Sequence, residues 1–258
     1  MRNKSFLSIV SVIYLFLSLL ILTGCKHASD RHSRTKSSYA RTEDTRSRET
    51  RSRRERSRDE SVSVPSSSRH GRTKMEGAEI FERYGSAVFM IFTSDGYHNF
   101  QGSGFFINNR GLAVSNYHVF QGTTIGKEQI KFLGDDRAYS VSEVIHKSSD
   151  EDFILFRVDC SSSNYIPIAS SKPKIGEKVF AIGSPRGLEN TFSSGEVSQW
   201  RGDNLMQISA LIDHGSSGGA LINEYGEIVG ITSGSFADGS QANLNYAWSI
   251  EAVKPYLK

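Results

Sequence analysis

The chain has 258 residues, of which 37% are hydrophobic and 23 are glycine, enough for one packed domain or two small ones. Its net charge of +3 combines two opposed parts: residues 26–74 carry 15 Lys and Arg against 7 Asp and Glu, and residues 75–258 carry 14 against 21. Only two cysteines are present, Cys25 and Cys160, and their separation excludes a disulfide-stapled scaffold and a paired redox or zinc motif. Stability must therefore come from packing.

The first 25 residues are typical of an export signal. Two basic residues precede an apolar stretch at 6–22, and the segment ends in LTGC, which resembles the bacterial lipobox. We predict that residues 1–25 are a lipoprotein signal peptide and that a lipidated Cys25 anchors the mature chain in the bacterial cell envelope. An uncleaved transmembrane helix is the alternative, but the basic residues that follow it would favour a cytoplasmic domain.

Residues 26–74 repeat Arg, Ser, Glu and Asp and contain almost no large apolar side chains. This composition predicts a disordered tether, with a root-mean-square span of about 35–40 Å as a flexible coil. An Arg-Ser tract also occurs in RNA-binding segments, but an exported chain is expected to have no nucleic-acid partner. Attraction to anionic lipid headgroups and a plain solvated spacer both remain open.

Residues 75–258 have the pattern of an all-β domain. A short helical turn is predicted at 79–88, and the ending at 249–258 predicts a closing helix that Pro255 shortens. Twelve short β-rich runs separated by Gly, Asn and Asp favour antiparallel barrels or sandwiches over alternating βαβ units. These runs are residues 87–93, 102–108, 111–115, 129–133, 139–145, 152–158, 178–183, 192–200, 204–210, 219–223, 227–234 and 245–249.

A small-residue turn, DHGSSGGA at residues 213–220, contains the candidate nucleophile Ser217. Glycines on both sides allow positive φ and a close backbone approach, which a reactive hydroxyl beside inward-pointing N–H groups requires. Taken alone the string is more often an ordinary turn. A nucleophilic serine also needs a base, and the base needs an acceptor that orients it.

The base is chosen among four histidines in residues 75–258, and His118 is the best placed. It follows the small-residue strand at 111–115, so its ring is expected to face a cleft. Asp152 comes 34 residues later, at the mouth of the apolar run 153–158. The order His, Asp, Ser differs from the subtilisin and α/β-hydrolase orders and agrees with that of chymotrypsin.

Five ordered segments resemble the successive signatures of HtrA-type serine proteases, the bacterial branch of the trypsin-like fold, over residues 79–257. They are GSGFFIN with AVSNYHVF, DFILFRV, VFAIGSPRGLENTFSSGEVS, and ALIDHGSSGGALINEYGEIVGITSG. The resemblance implies two antiparallel β-barrels packed face to face, with the site in the cleft between them and short terminal helices. It also leads us to expect that no PDZ domain follows residues 75–258.

The resemblance further implies a role for each residue of the site. Ser217 is the nucleophile, His118 the general acid and base, and Asp152 the acceptor that orients His118, while the N–H groups of Gly215 and Ser217 form the oxyanion hole. No metal or organic cofactor is expected. His214 and Ser216 depart from the residues usual in this branch, and His214 is expected to have a packing or surface role.

The substrate-binding residues are expected on two segments that flank the nucleophile. The strand at Ser233, Gly234 and Ser235 matches the one that pairs with an extended substrate main chain. Leu211 is expected at the base of the primary side-chain pocket, with Ile212 beside it and Ser235 facing it. The pocket is thus predicted to be uncharged and apolar, which favours small or medium aliphatic residues before the cut.

These patterns lead to two functional hypotheses. The first is a lipid-anchored serine endopeptidase that hydrolyses envelope or unfolded proteins. The second is a catalytically silent, protease-like module that binds peptides on the membrane surface, but a binding module has no physical need for a nucleophile, a base and an orienting acid together. Protein or peptide substrates and the membrane are the expected partners, and the sequence leaves the oligomeric state open.

Overall fold

A computed structural model describes residues 73–160, 163–184, 190–235 and 244–257, all within one compact unit that spans Arg58–Lys258. The predicted signal peptide with Cys25 and nearly all of the predicted tether lie outside the described residues, and so does the side chain of Ser235. Of the helices within the described ranges, none combines the length and apolarity that crossing a membrane requires.

The described chain begins with helix α1, Gly77–Tyr84, and a 3₁₀ turn, Gly85–Ala87. Ile80 and Tyr84 are buried on one face of α1, as expected for an amphipathic helix on a sheet. The sequence prediction of a helical turn at 79–88 is therefore confirmed in kind, with both ends shifted toward the N-terminus.

The first six strands form one antiparallel sheet in the order β4-β1-β2-β3-β6-β5. Their bounds are β1 Val88–Ser94, β2 Asn99–Phe106, β3 Leu112–Ser115, β4 Gln129–Phe132, β5 Val141–Ser148 and β6 Phe153–Val158. Side chains alternate between the two faces of a strand. On β2, Phe106 accordingly joins Phe89 and Phe156 in the core of this sheet, whereas Phe105 belongs to a different cluster.

The last six strands close into a barrel in the order β10-β11-β12-β9-β8-β7. Their bounds are β7 Lys178–Gly183, β8 Thr191–Arg201, β9 Leu205–Ile208, β10 Ala220–Asn223, β11 Ile228–Ser235 and β12 Asn245–Ser249. Val179, Met206 and Leu221 belong to the core of this barrel. The twelve described strands follow the order predicted from the sequence.

A third apolar cluster holds the two sheets together. It combines Phe105 and Leu155 of the first sheet with Ile182 and Ile231 of the barrel, all of them fully buried. The expected all-β fold of two packed antiparallel β-barrels is confirmed as two packed six-stranded sheets, of which the second closes into a barrel. The packing also brings the ends of strands from both units together, and that junction forms the candidate site.

Two local expectations differ from the structure. The C-terminal segment forms two short 3₁₀ helices, Ile250–Ala252 and Lys254–Tyr256, instead of one helix. Pro255 has no N–H to continue a helical ladder, and its ring crowds the preceding turn. His118 lies in a 3₁₀ helix, Tyr117–Phe120, and not at a strand end; it is three residues beyond Ser115, where β3 ends.

Candidate active site

The loop at residues 209–219, between β9 and β10, carries the candidate nucleophile Ser217 and lies against β2 of the first sheet. We call it the nucleophile loop. Gly215 and Gly218 have φ of 94° and 86°, in the left-handed region that favours glycine. A Cβ atom on Gly218 would lie 2.1 Å from the carbonyl oxygen of Ser103. The glycines that flanked Ser217 in the sequence are thus required by backbone torsion and by the close approach of β2.

His118 and Asp152 are joined by two hydrogen bonds. The backbone N–H of His118 donates to Asp152 Oδ1 at 2.9 Å, and its ring Nδ1 lies 2.8 Å from Asp152 Oδ2. The His118 side chain is 42% exposed and that of Asp152 is 16% exposed. A ring that donates through Nδ1 keeps Nε2 as the acceptor, so the carboxylate selects the tautomer of a general base.

Two further residues hold Asp152, and the sequence did not single out either for this task. The Ser233 hydroxyl donates to Asp152 Oδ2 at 3.0 Å, and the Asn116 amide donates to the Asp152 carbonyl at 2.8 Å. Asp152 has φ of 45°, the only positive value among the described non-glycine residues. This torsion costs free energy, and the bond from the fully buried Asn116 helps to maintain it.

Ser217 and His118 line the same cavity, which has a volume of about 370 Å³ and also contacts Gln101 and Gly215. The Ser217 hydroxyl donates to the Ser233 carbonyl at 3.4 Å, and no hydrogen bond among the described residues joins it to the His118 ring. In residues 73–160, 163–184, 190–235 and 244–257, the backbone N–H groups of Gly215 and Ser217 have no acceptor. Two donors without a described acceptor thus lie at the candidate nucleophile Ser217.

Comparisons with known proteins agree with this geometry. Residues 102–231, half of the chain, match the family described as a trypsin-like peptidase domain. This chain belongs to the trypsin-like peptidases. It is 36% identical over 165 residues to a probable serine protease do-like of Buchnera aphidicola and 33% identical over 165 residues to the periplasmic serine endoprotease DegP of Escherichia coli K12. These relatives place it in the HtrA-type branch.

A solved serine endoprotease from Yersinia pestis has the same fold, with a TM-score of 0.63 and 25% identity over 71% of this chain and 65% of that one. The two curated relatives each match 59% of this chain and 34% of their own length. The HtrA-type peptidase chain therefore spans about a third of the length of the curated relatives it matches.

A smaller cavity of about 200 Å³ adjoins Ser217 on its other side. Its lining residues come from the nucleophile loop and from β11: Ile212, Asp213, His214, Ser217, Ser233 and Gly234. His214 also lines the larger cavity, so it lies at the rim that separates the two. The exposed His214 thus has the surface position expected for it, and it borders both candidate substrate cavities.

Leu211 lines a cavity next to the two that Ser217 lines. It is 67% exposed and lines a neighbouring cavity of about 360 Å³ together with Phe192, but it is not among the residues that line the cavity at Ser217. The Ser193 hydroxyl of β8 donates to the Leu211 carbonyl at 2.8 Å, which fixes that end of the loop to β8. Ile212 and Asp213 line both this cavity and the cavity of about 200 Å³ at Ser217.

The strand β11 continues past its partner β10. The pairing of these strands ends at Ile231, and the Thr232 N–H donates to the Gly219 carbonyl at 3.0 Å. Beyond that point Gly234 and Ser235 pair only with β12 among the described strands. The side of residues 233–235 that faces the nucleophile loop is therefore an open edge, which an extended chain can extend by β-augmentation.

Two titratable side chains outside the candidate site are His146 and Cys160. His146 stacks on Tyr256 with ring centroids 3.5 Å apart and does not line either of the cavities at Ser217. Cys160 is a free thiol, and burial raises its pKa, with a smaller contribution from the Asp159 charge. No group of three or more His, Cys, Asp or Glu in the described part of the chain has an arrangement that would hold a metal ion.

Proposed function

We propose that this HtrA-type peptidase is a serine endopeptidase in which Ser217 attacks the peptide carbonyl, His118 transfers protons and Asp152 orients His118. The observation that carries this proposal is the 2.8 Å contact between His118 Nδ1 and Asp152 Oδ2, in a cavity wall that His118 shares with Ser217. A base whose tautomer is selected by a carboxylate, beside a serine hydroxyl, has the chemistry of acyl transfer.

The acylation step begins with rotation of the Ser217 hydroxyl from the Ser233 carbonyl toward His118 Nε2. Hydrogen bonds of this kind often tighten only when substrate binds. As Oγ forms a bond to the substrate carbonyl carbon, its proton passes to Nε2, and the Asp152 carboxylate stabilises the resulting imidazolium. The carbonyl π electrons move to oxygen, which becomes an oxyanion.

The oxyanion accepts hydrogen bonds from the unpartnered N–H groups of Gly215 and Ser217. When the tetrahedral intermediate collapses, the C–N bond breaks and the leaving amine takes the proton from His118 Nε2. A water molecule then gives a proton to Nε2 and attacks the ester carbon. The return of that proton to Ser217 Oγ releases the carboxylic acid product and restores the site.

Extended segments of proteins are the substrates that this site suits. The open edge of β11 at residues 233–235 offers main-chain hydrogen bonds to a chain in β conformation, and a chain folded into its own structure has no such free backbone. We further infer that the cavity of about 200 Å³ at Gly234 takes the side chain before the cut. Unfolded or exposed segments of proteins are therefore the proposed substrate class.

We also propose a place of action at the bacterial envelope, anchored through a lipidated Cys25 and separated from the membrane by residues 26–74. The basis is the LTGC motif behind an apolar stretch and the low content of apolar side chains in the following residues. Curated relatives include periplasmic endoproteases, named as such in Escherichia coli and, as probable ones, in other bacteria.

Labelling with a fluorophosphonate, together with hydrolysis of casein, tests the catalytic proposal. We expect wild type to be labelled and active, and Ser217→Ala and His118→Ala to lose activity by a factor on the order of 10⁶. His146→Ala, which changes a histidine stacked on Tyr256, is the matched control and should keep most of the rate. A folded wild type that is neither labelled nor active would instead be a silent peptide-binding module.

Metabolic labelling with a fatty-acid analogue tests the anchor. Wild type should incorporate the label, whereas Cys25→Ser should lose it and accumulate as a longer, unprocessed chain. An unlabelled wild type with the mass of the full chain would reject lipidation and favour a plain transmembrane anchor.

A further inference from the structure

Ser103 lies on β2 of the first sheet, opposite the nucleophile loop of the barrel, and is fully buried. The sequence marks it only as the middle residue of Gly-Ser-Gly. Its position matters because the oxyanion donors belong to the barrel unit, whereas His118 and Asp152 belong to the first unit. A residue that bonds across this junction determines how the two halves of the site are aligned.

All polar atoms of Ser103 are used, and two of its bonds go to the nucleophile loop. Its backbone N–H donates to the Ser217 carbonyl at 2.8 Å, and its hydroxyl donates to the Gly215 carbonyl at 2.7 Å. The same hydroxyl accepts the N–H of Ser184 at 2.9 Å, and the Ser103 carbonyl accepts the Ser115 hydroxyl at 2.7 Å. A serine hydroxyl has one proton to donate, and here it goes to Gly215.

The N–H groups of Gly215 and Ser217 have no acceptor among the described residues. Gly215 adopts φ of 94°, a torsion that glycine can leave at little cost. Ser103 bonds the carbonyl oxygens of both residues, so it restrains the torsions on the C-terminal side of each donor. Among the described residues, only the Ser103 hydroxyl donates to the Gly215 carbonyl. Without that bond, no hydrogen bond within the loop restrains this carbonyl.

β2 approaches the loop closely at two glycines beside these bonds. A Cβ atom on Gly218 would lie 2.1 Å from the Ser103 carbonyl oxygen, and one on Gly102 would lie 3.2 Å from the Ser217 carbonyl oxygen. At these two positions the backbones of β2 and the loop are in direct contact. The restraint on the loop is therefore direct and passes through Ser103.

We propose that Ser103 is a positioning residue for the oxyanion hole, acting through the bond from its hydroxyl to the Gly215 carbonyl. The inference rests on the proposed function, because an oxyanion hole has a task only in acyl transfer. Ser103 contacts neither the substrate nor the reacting atoms. Its effect appears in the transition state, when the negative charge develops on the substrate oxygen, so it should change kcat far more than KM.

The test compares Ser103→Ala with Ser115→Ala. Both substitutions delete a fully buried hydroxyl that donates at 2.7 Å to a backbone carbonyl, on neighbouring strands of one sheet. Only the Ser103 hydroxyl donates to a carbonyl of the nucleophile loop, whereas the Ser115 hydroxyl donates to a carbonyl of β2. Steady-state hydrolysis of a peptide substrate and inhibition by a peptide boronic acid, which forms a tetrahedral adduct on the serine, are measured below the melting temperature of each variant.

For Ser103→Ala we expect kcat to fall about 10- to 100-fold, as misplacement of a catalytic group by about 1 Å allows, with KM changed less than about threefold. Inhibition by the boronic acid should weaken in the same proportion as kcat/KM. Ser115→Ala should keep kcat within about threefold of wild type. Equal losses of kcat in both variants, or an unchanged kcat in Ser103→Ala, would overturn the inference and leave Ser103 with a purely structural role.

A second variant covers the case in which Ser103→Ala does not fold. Ser103→Cys keeps a side chain of similar shape and a weak donor, so it should fold and show a kcat between those of wild type and the hydroxyl-deleted form. A folded Ser103→Cys with the wild-type kcat would also reject the inference. Wild type and Ser217→Ala are measured alongside: an inactive wild type would reject the proposed function itself, whereas an active one makes each outcome specific to Ser103.

Discussion

Substitution of Gly234 by alanine should lower the stability of the fold and, through a separate cost at the site, the efficiency of catalysis. Gly234 has φ of 109°, and a Cβ atom built on it would lie 3.7 Å from Ser217 Oγ, inside the cavity of about 200 Å³. The torsion should cost about 1–3 kcal/mol in the folded state. The methyl group also occupies space needed by substrate, and overpacking of this kind costs about 1–3 kcal/mol. The second cost applies only when substrate binds, so kcat/KM should fall about 5- to 150-fold.

Gly122→Ala separates these two costs. Gly122 has φ of 77°, and a Cβ atom there would meet no heavy atom within 4 Å, so this variant carries backbone strain without obstruction. The Tm of both variants should be lower than that of wild type by roughly 2–12 °C, since about 1 kcal/mol shifts Tm by about 2–4 °C in a domain of this size. Only Gly234→Ala should lose kcat/KM on an unfolded protein substrate. The reasoning fails if Gly234→Ala hydrolyses substrate at the wild-type rate, or if Gly122→Ala loses activity equally.

Other expectations concern the acid, the thiol and the choice of cleavage site. Asn116→Ala removes the amide that donates to the Asp152 carbonyl, so kcat should fall and the free energy of unfolding should drop by about 1–3 kcal/mol. An unchanged kcat would show that Asp152 keeps its position without the bond. Burial raises the pKa of Cys160, so less of the native thiol is thiolate, and iodoacetamide at pH 8 should alkylate it more slowly in the native protein than in the denatured chain. Mass spectrometry measures both rates, and equal rates would contradict the effect of burial. Cleavage sites mapped in an unfolded protein should follow small or medium aliphatic residues, because Ile212 lines the cavity of about 200 Å³ at Ser217. Asp213 lines the same cavity, so a majority of cuts after Lys or Arg would mean that Asp213 sets the preference.

Much of the fold was accessible from the order of residues alone. Alternating apolar residues and Gly or Asn breaks predicted the twelve strands, because a half-buried strand must place its apolar side chains on one face. The pair Phe105 and Phe106 illustrates this, since adjacent residues enter different cores. The order His118, Asp152, Ser217 then selected the chymotrypsin-like arrangement among the known triads.

The sequence was less informative where a local preference meets a constraint from elsewhere in the chain. The C-terminal residues have a helical pattern, yet Pro255 and the packing of Tyr256 on His146 favour two 3₁₀ turns. Leu211 was assigned to a pocket by its distance from Ser217 along the chain. In the structure the Ser193 hydroxyl donates to the Leu211 carbonyl, a contact that the spacing between Leu211 and Ser217 does not encode.

The sequence by itself determined the residue types at the site, the strand pattern and the family resemblance, since these depend on local periodicity and on the order of motifs. Only the tertiary structure decided which groups touch. The bond between His118 and Asp152 spans 34 residues, that between Ser233 and Asp152 spans 81, and that between Ser103 and Gly215 spans 112. Such contacts arise when the two β-sheet units pack through one apolar layer, so they depend on the whole fold.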